Sequence, residues 1–157
     1  AVLNFKSFGT FIVSLGTIAL LPAIFEELFF RGALQQVLIK WTGKAVPGII
    51  ITSIIFSAFH LSYYGFLPRA FLGVVLGLVY YYGRNIRLNM LIHFINNATI
   101  VVALYVKYGS TPLNEKILGD DSSMSPLYLQ IIGVVVLVGV LNIFIRRSKQ
   151  PITNHIS

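Results

Sequence analysis

The 157 residues include no cysteine and only five acidic side chains. Without cysteine there is no thiol nucleophile, no thiolate-held zinc and no disulfide scaffold. Charge of either sign is scarce. Lysine and arginine add twelve residues, so 11% of the chain is charged, against about one quarter in a soluble domain. With 56% of the residues hydrophobic, disorder is excluded and a water-soluble fold is disfavoured.

The few charges are clustered. Stretches free of Asp, Glu, Lys and Arg run from Ser7 to Phe25, Ala45 to Pro68, Ala70 to Gly83, Leu88 to Val106 and Ser122 to Ile145. About 20 apolar residues suffice for a helix to cross the hydrocarbon core. The expected fold is all-α: one integral-membrane domain over residues 1–157, a polytopic bundle of about six transmembrane helices with a polar intramembrane cavity. The pattern predicts helices over about Phe8–Leu21, Ala23–Lys40, Val46–Leu61, Pro68–Tyr82, Leu88–Tyr108 and Leu127–Ile145, with Pro22 breaking the first from the second. The first apolar stretch lacks a small-residue cleavage pattern and reads as a retained helix rather than a signal peptide. The chain starts at Ala1, and an N-terminal part is expected to be missing.

The net charge of +7 reads as membrane orientation rather than nucleic-acid binding. Lys40 with Lys44, Arg84 with Arg87, and Arg146, Arg147 with Lys149 follow predicted helices, and the positive-inside rule places all three clusters in the cytoplasm. That rule sets His60 near the outer end of its helix and His93 near the inner end of its own, too far apart in depth for a shared site. Convergence of the polar residues is the stronger expectation. It requires a broken or dipping helix, a re-entrant one, or a basic cluster on the other side.

Chemistry is expected where polar groups interrupt apolar helices. Glu26, Glu27 and Arg31 fall within one of them, where each charge at mid-bilayer costs about 2.5–3.5 kcal/mol. Glu27 and Arg31 stand at i, i+4, the favourable spacing for a helical ion pair, which is the structural reading of both. Glu26 has no such local partner. The next helix aligns Ser53, Phe56, Ser57 and His60 on one face, and a later one carries Asn89, His93, Asn96 and Asn97. A lone histidine on an apolar helix is usually a satisfied core residue. Two on separate polar faces, beside paired carboxylates, point to a shared acid/base site, because polar groups in hydrocarbon need partners inside the protein. Gly73 and Gly77, at small-xxx-small spacing, read as helix packing.

Glu26-Glu27-x-x-x-Arg31, then Phe56-x-x-x-His60, then His93-x-x-x-Asn97, in this order on hydrophobic helices, resembles the three motifs of the CPBP family, the CAAX proteases and bacteriocin-processing (Abi) enzymes. The resemblance covers about residues 21–98. It implies an intramembrane endopeptidase acting on membrane-associated peptides or proteins, by CAAX-type or leader processing; small size and basic loops favour a multi-pass protein of the bacterial plasma membrane. Carried over by position, Glu26 and His60 activate the attacking water, His93 and Asn97 stabilise the oxyanion, and Glu27 with Arg31 supports the first motif. No cofactor is favoured. The competing zinc mechanism would use Glu26, His60 and His93 as ligands and Glu27 as base, although the compact His-Glu-x-x-His motif is absent. No Gly-x-Ser-x-Gly occurs, and no Asp lies in a predicted membrane helix, which disfavours serine and aspartyl intramembrane chemistry. The alternatives are a non-catalytic bacteriocin-immunity or scaffold protein, which would tolerate Glu26→Gln, and a small transporter, which would show solute flux.

Overall fold

The computed structural model describes residues 7–108, all helices and turns with no strand among them. The expected helix Leu127–Ile145 and the basic cluster that follows it lie outside the described residues.

The first two expected helices are one. Helix α1 runs unbroken over Phe8–Thr42, 35 residues. Ser7 starts it with a capping box: its Oγ accepts from Thr10 N–H at 3.3 Å while Thr10 Oγ1 accepts from Ser7 N–H at 3.2 Å. Pro22 does not break the helix because the stretch just before it, Leu15–Leu20, is π-helical, and Leu21 N–H reaches back five residues to Gly16 O. The wider turn accommodates a residue with no N–H of its own and relieves the clash a proline ring makes in a regular α-helix. A second π-helical stretch, Leu28–Leu34, follows Glu27. Gly43, at φ +67°, ends α1 in the left-handed conformation that favours glycine.

Helix α2 (Ala45–Ala58), α3 (Phe66–Gly83) and α4 (Ile86–Tyr108) follow. Pro47 and Pro68 fall in first turns, where a missing N–H costs little. Asn85 starts α4, its Oδ1 accepting from Arg87 and Leu88 N–H. Between α2 and α3, Ser57 Oγ donates to Phe66 O at 2.6 Å and ties the connecting loop back to α2.

Glycines set how closely the helices approach. A Cβ at Gly48 would come within 3 Å of the backbone of Ile39, and one at Gly73 would come within 3 Å of Ser53 Cβ. The small-xxx-small pair thus packs α3 against α2. Because the obstacle at Gly48 is backbone, Gly48→Ala is expected to force α1 and α2 apart at a cost of about 1–3 kcal/mol. The measurement is detergent-titrated unfolding; wild-type stability in this variant would contradict the close approach.

Burial runs opposite to that of a water-soluble protein. Glu27, Arg31, Gln35, Ser53, Ser57, Asn89 and His93 are buried, while Leu28, Phe29, Ile50, Ile54, Leu91 and Ile95 are exposed. Three helices, Phe8–Thr42, Phe66–Gly83 and the Ile86–Val106 part of α4, are long and apolar enough to cross a membrane. Apolar outside and polar inside, on helices of that length, define an integral membrane protein.

The expected mismatch of depth does not arise, and α4 remains a continuous helix. With 14 residues, α2 is only about 21 Å long, so His60, just past its end, lies about as far from the α1–α2 turn as Glu26 does along α1. Helix α4 starts beside Gly32, where a Cβ would touch Ile86, about three turns short of the end of α1. Asn89 and His93 therefore reach the level of Glu27 and Glu26 directly.

Candidate active site

Glu26 and Glu27 are neighbours on α1, about 100° apart around the helix, and they end in different surroundings. Glu27 is fully buried and held from three directions. Arg31 Nη1 lies 3.0 Å from its Oε1, His93 Nδ1 lies 2.9 Å from the same oxygen, and Asn89 Nδ2 donates to Oε2 at 3.0 Å. Asn89 gives its other amide hydrogen to Leu76 O at 2.7 Å.

Arg31 carries the network to α3, with Nη2 donating to Gly73 O at 3.1 Å and the guanidinium packed 4.9 Å from the centre of the Phe56 ring. One turn on, Gln35 Nε2 donates to Gly77 O at 3.1 Å. Glu27, Arg31 and Gln35 thus form one i, i+4, i+8 stripe, and the two glycines that admit α2 also leave their carbonyls open to this stripe. Charge and hydrogen bonding together keep the buried pair tolerable where either partner alone would be costly.

Glu26 faces a cavity of about 500 Å³. Its Oε1 is 3.8 Å from His60 Nε2 and its Oε2 is 3.7 Å from His93 Nε2. Both distances exceed direct hydrogen-bond reach, and Oε2 has no hydrogen-bond partner. Each imidazole is oriented from its far side. His60 Nδ1 pairs with Phe56 O at 2.9 Å, one turn back, and His93 Nδ1 pairs with Glu27 Oε1. Carbonyl and carboxylate are acceptors, so each Nδ1 carries the proton and each Nε2 is turned to Glu26. Phe56 stands between the two rings, 5.0 Å from His60 and 5.8 Å from His93.

Asn96 and Asn97 line the same cavity, and Asn96 Nδ2 donates to Asn97 Oδ1 at 3.4 Å. Thr17, Arg69 and apolar groups, Pro22 and Leu72 among them, complete the wall. The structure therefore brings Glu26, His60, His93 and Asn97 to one cavity, with Glu27 and Arg31 in the buried network behind it. Sequence reasoning misses Gln35, whose signal is its i+4 spacing from Arg31, and Arg69, a cation set in the first turn of an apolar helix. Among the described residues no group of three or more His, Cys, Asp or Glu side chains is arranged to hold a metal ion.

A carboxylate with no direct hydrogen bond at Oε2, set between two oriented imidazoles in a cavity walled by membrane helices, has the groups that acid/base chemistry requires. Residues 8–99 match the family model described as type II CAAX prenyl endopeptidase Rce1-like. The chain belongs to this family, which makes it a membrane-embedded peptide hydrolase with a membrane-associated peptide as its substrate class. No curated protein and no solved structure gives a significant match.

Proposed function

We propose that the chain is a glutamate-type intramembrane endopeptidase that cleaves membrane-associated peptides, in CAAX-type or leader processing, inside a multi-pass helix bundle in a bacterial plasma membrane. The domain spans residues 1–157, and the cavity on Glu26 is its intramembrane reaction chamber. The observation that carries this reading is the division of labour between adjacent carboxylates. Glu27 is spent on structure, while Glu26 is left without a direct hydrogen bond at Oε2 and faces two Nε2 atoms.

In the proposed reaction a water between Glu26 and His60 loses its proton to this pair as its oxygen attacks the peptide carbonyl carbon. The carbonyl oxygen becomes the oxyanion. Asn97, with Oδ1 engaged by Asn96, keeps its amide hydrogens for that oxygen. His93 donates its Nδ1–H in a hydrogen bond to Glu27 Oε1 and, in its doubly protonated form, offers Nε2–H to the same oxyanion. The proton taken from water then goes to the leaving amine as the carbon–nitrogen bond breaks. Placed donors of this kind are worth about 10²–10³ in rate each.

The test uses purified protein in liposomes with a membrane-anchored peptide and detection of the new amino terminus. Cleavage is expected to persist after EDTA or phenanthroline and full metal removal. Loss on chelation with recovery on adding Zn²⁺ would instead assign a zinc mechanism on Glu26, His60 and His93, and an uncleaved peptide library would remove the peptidase reading.

A further inference from the structure

The cavity wall carries a guanidinium for which the proposed hydrolysis has no task. Arg69 sits in the first turn of α3, its backbone N–H bonded to Gly65 O at 3.2 Å, and its side chain lines the cavity with Glu26, His60 and Asn97. Its Nη1 is buried without a hydrogen-bond partner. Among the described residues no carboxylate comes within ion-pair distance of it, whereas the fully buried Arg31 has Glu27, Gly73 O and the Phe56 ring. A Cβ at residue 65 would overlap the Arg69 guanidinium, so glycine there lets the side chain lie against the backbone.

A half-buried arginine with an unbonded donor shares this cavity with Glu26, whose charge acts on it from beyond ion-pair distance. The planar fork of a guanidinium matches a carboxylate through two parallel hydrogen bonds. At about 500 Å³ the cavity falls in the range of sites that hold small ligands. We infer that Arg69 anchors a carboxylate of the bound peptide and so sets which peptide bond lies against Glu26. The cleavage part of this inference rests on the peptidase reading above; the binding part does not. The carboxylate is either the carboxyl terminus of the substrate or an Asp or Glu side chain near the scissile bond.

The experiment compares three membrane-anchored peptides of one sequence: a free carboxyl terminus, the same peptide amidated, and the amidated peptide with one Asp near its end. Wild type, Arg69→Gln and Arg69→Lys are assayed in liposomes. Binding of the same peptides is measured in parallel on Glu26→Gln and on Glu26→Gln/Arg69→Gln. Wild type is expected to prefer a carboxylate-bearing peptide over the plain amide by about tenfold or more in kcat/KM, mostly through KM, as expected for a lost charged hydrogen bond. Arg69→Gln is expected to bring that ratio near one, and Arg69→Lys to keep part of it. Preference for the free terminus identifies the chain end as the source, and rescue by Asp identifies the side chain. Equal handling of all three peptides by wild type, or a preference that survives Arg69→Gln, overturns the inference. If no peptide is cut but binding still discriminates through Arg69, the anchor stands and the peptidase reading falls. If binding shows no discrimination either, the anchor falls on its own evidence.

Discussion

Glu26→Gln is expected to lower peptide cleavage by about 10²–10⁴, the usual contribution of a positioned general base, while leaving the protein folded. The substitution keeps the size of the side chain and removes its charge and its ability to take a proton. Its effect on stability is small because Glu26 lies outside the buried network: its carboxylate is a quarter exposed, and its Oε2 has no hydrogen bond to lose. The measurement is cleavage rate in liposomes beside unfolding in detergent. A variant that cuts at the wild-type rate would exclude Glu26 as the base and return the site to a binding role. His60→Ala should fall in the same direction, since its Nε2 lies 3.8 Å from Glu26 Oε1 and faces the same water position.

The first motif is the most legible part of the site in sequence. Spacing alone pairs Glu27 with Arg31 and separates Glu26 from both, because i, i+4 neighbours meet on a helix and i, i+1 neighbours do not. The same rule would have found Gln35. An uncharged glutamine attracts less notice in an apolar segment than a carboxylate, although its amide needs a partner just as strictly. Gly73 and Gly77 announce close packing, but nothing in their spacing tells that their carbonyls receive Arg31 and Gln35 from a third helix.

Other features depend on geometry that no local pattern encodes. Pro22 reads as a break, since proline removes a helical hydrogen bond. Whether the chain instead widens into a π-helical stretch at Leu15–Leu20 depends on how its neighbours pack there: Ala19 lies buried against Val101 of α4. The charge rule puts His60 and His93 at different depths because it treats every helix as a full crossing. The short α2, and an α4 that starts low on α1, remove the conflict. Arg69 reads as a boundary charge at a helix start. Only the assembled cavity shows that it shares a wall with Glu26.

Glu27→Ala is expected to cost about 3–5 kcal/mol in unfolding free energy, the largest stability change of any single substitution at the site. It leaves Arg31 fully buried with its charge unanswered, and it strands the Asn89 and His93 donors that converge on the same carboxylate. Replacing both members, as in Glu27→Gln/Arg31→Met, removes the unpaired charge as well as the pair. The double variant should therefore be more stable than Glu27→Ala, with non-additivity of about 0.5–3 kcal/mol in a full double-mutant cycle built on Glu27→Gln and Arg31→Met. Activity gives a second readout. His93 takes its orientation from Glu27 Oε1, so Glu27→Gln should slow cleavage even where the protein stays folded, because an amide that presents its NH₂ to Nδ1 no longer fixes the proton there. Glu26→Gln thus loses rate without stability, and Glu27→Gln loses both. Two adjacent glutamates giving the same profile would mean that burial does not separate their roles, and the assignment of chemistry to Glu26 and support to Glu27 would fail.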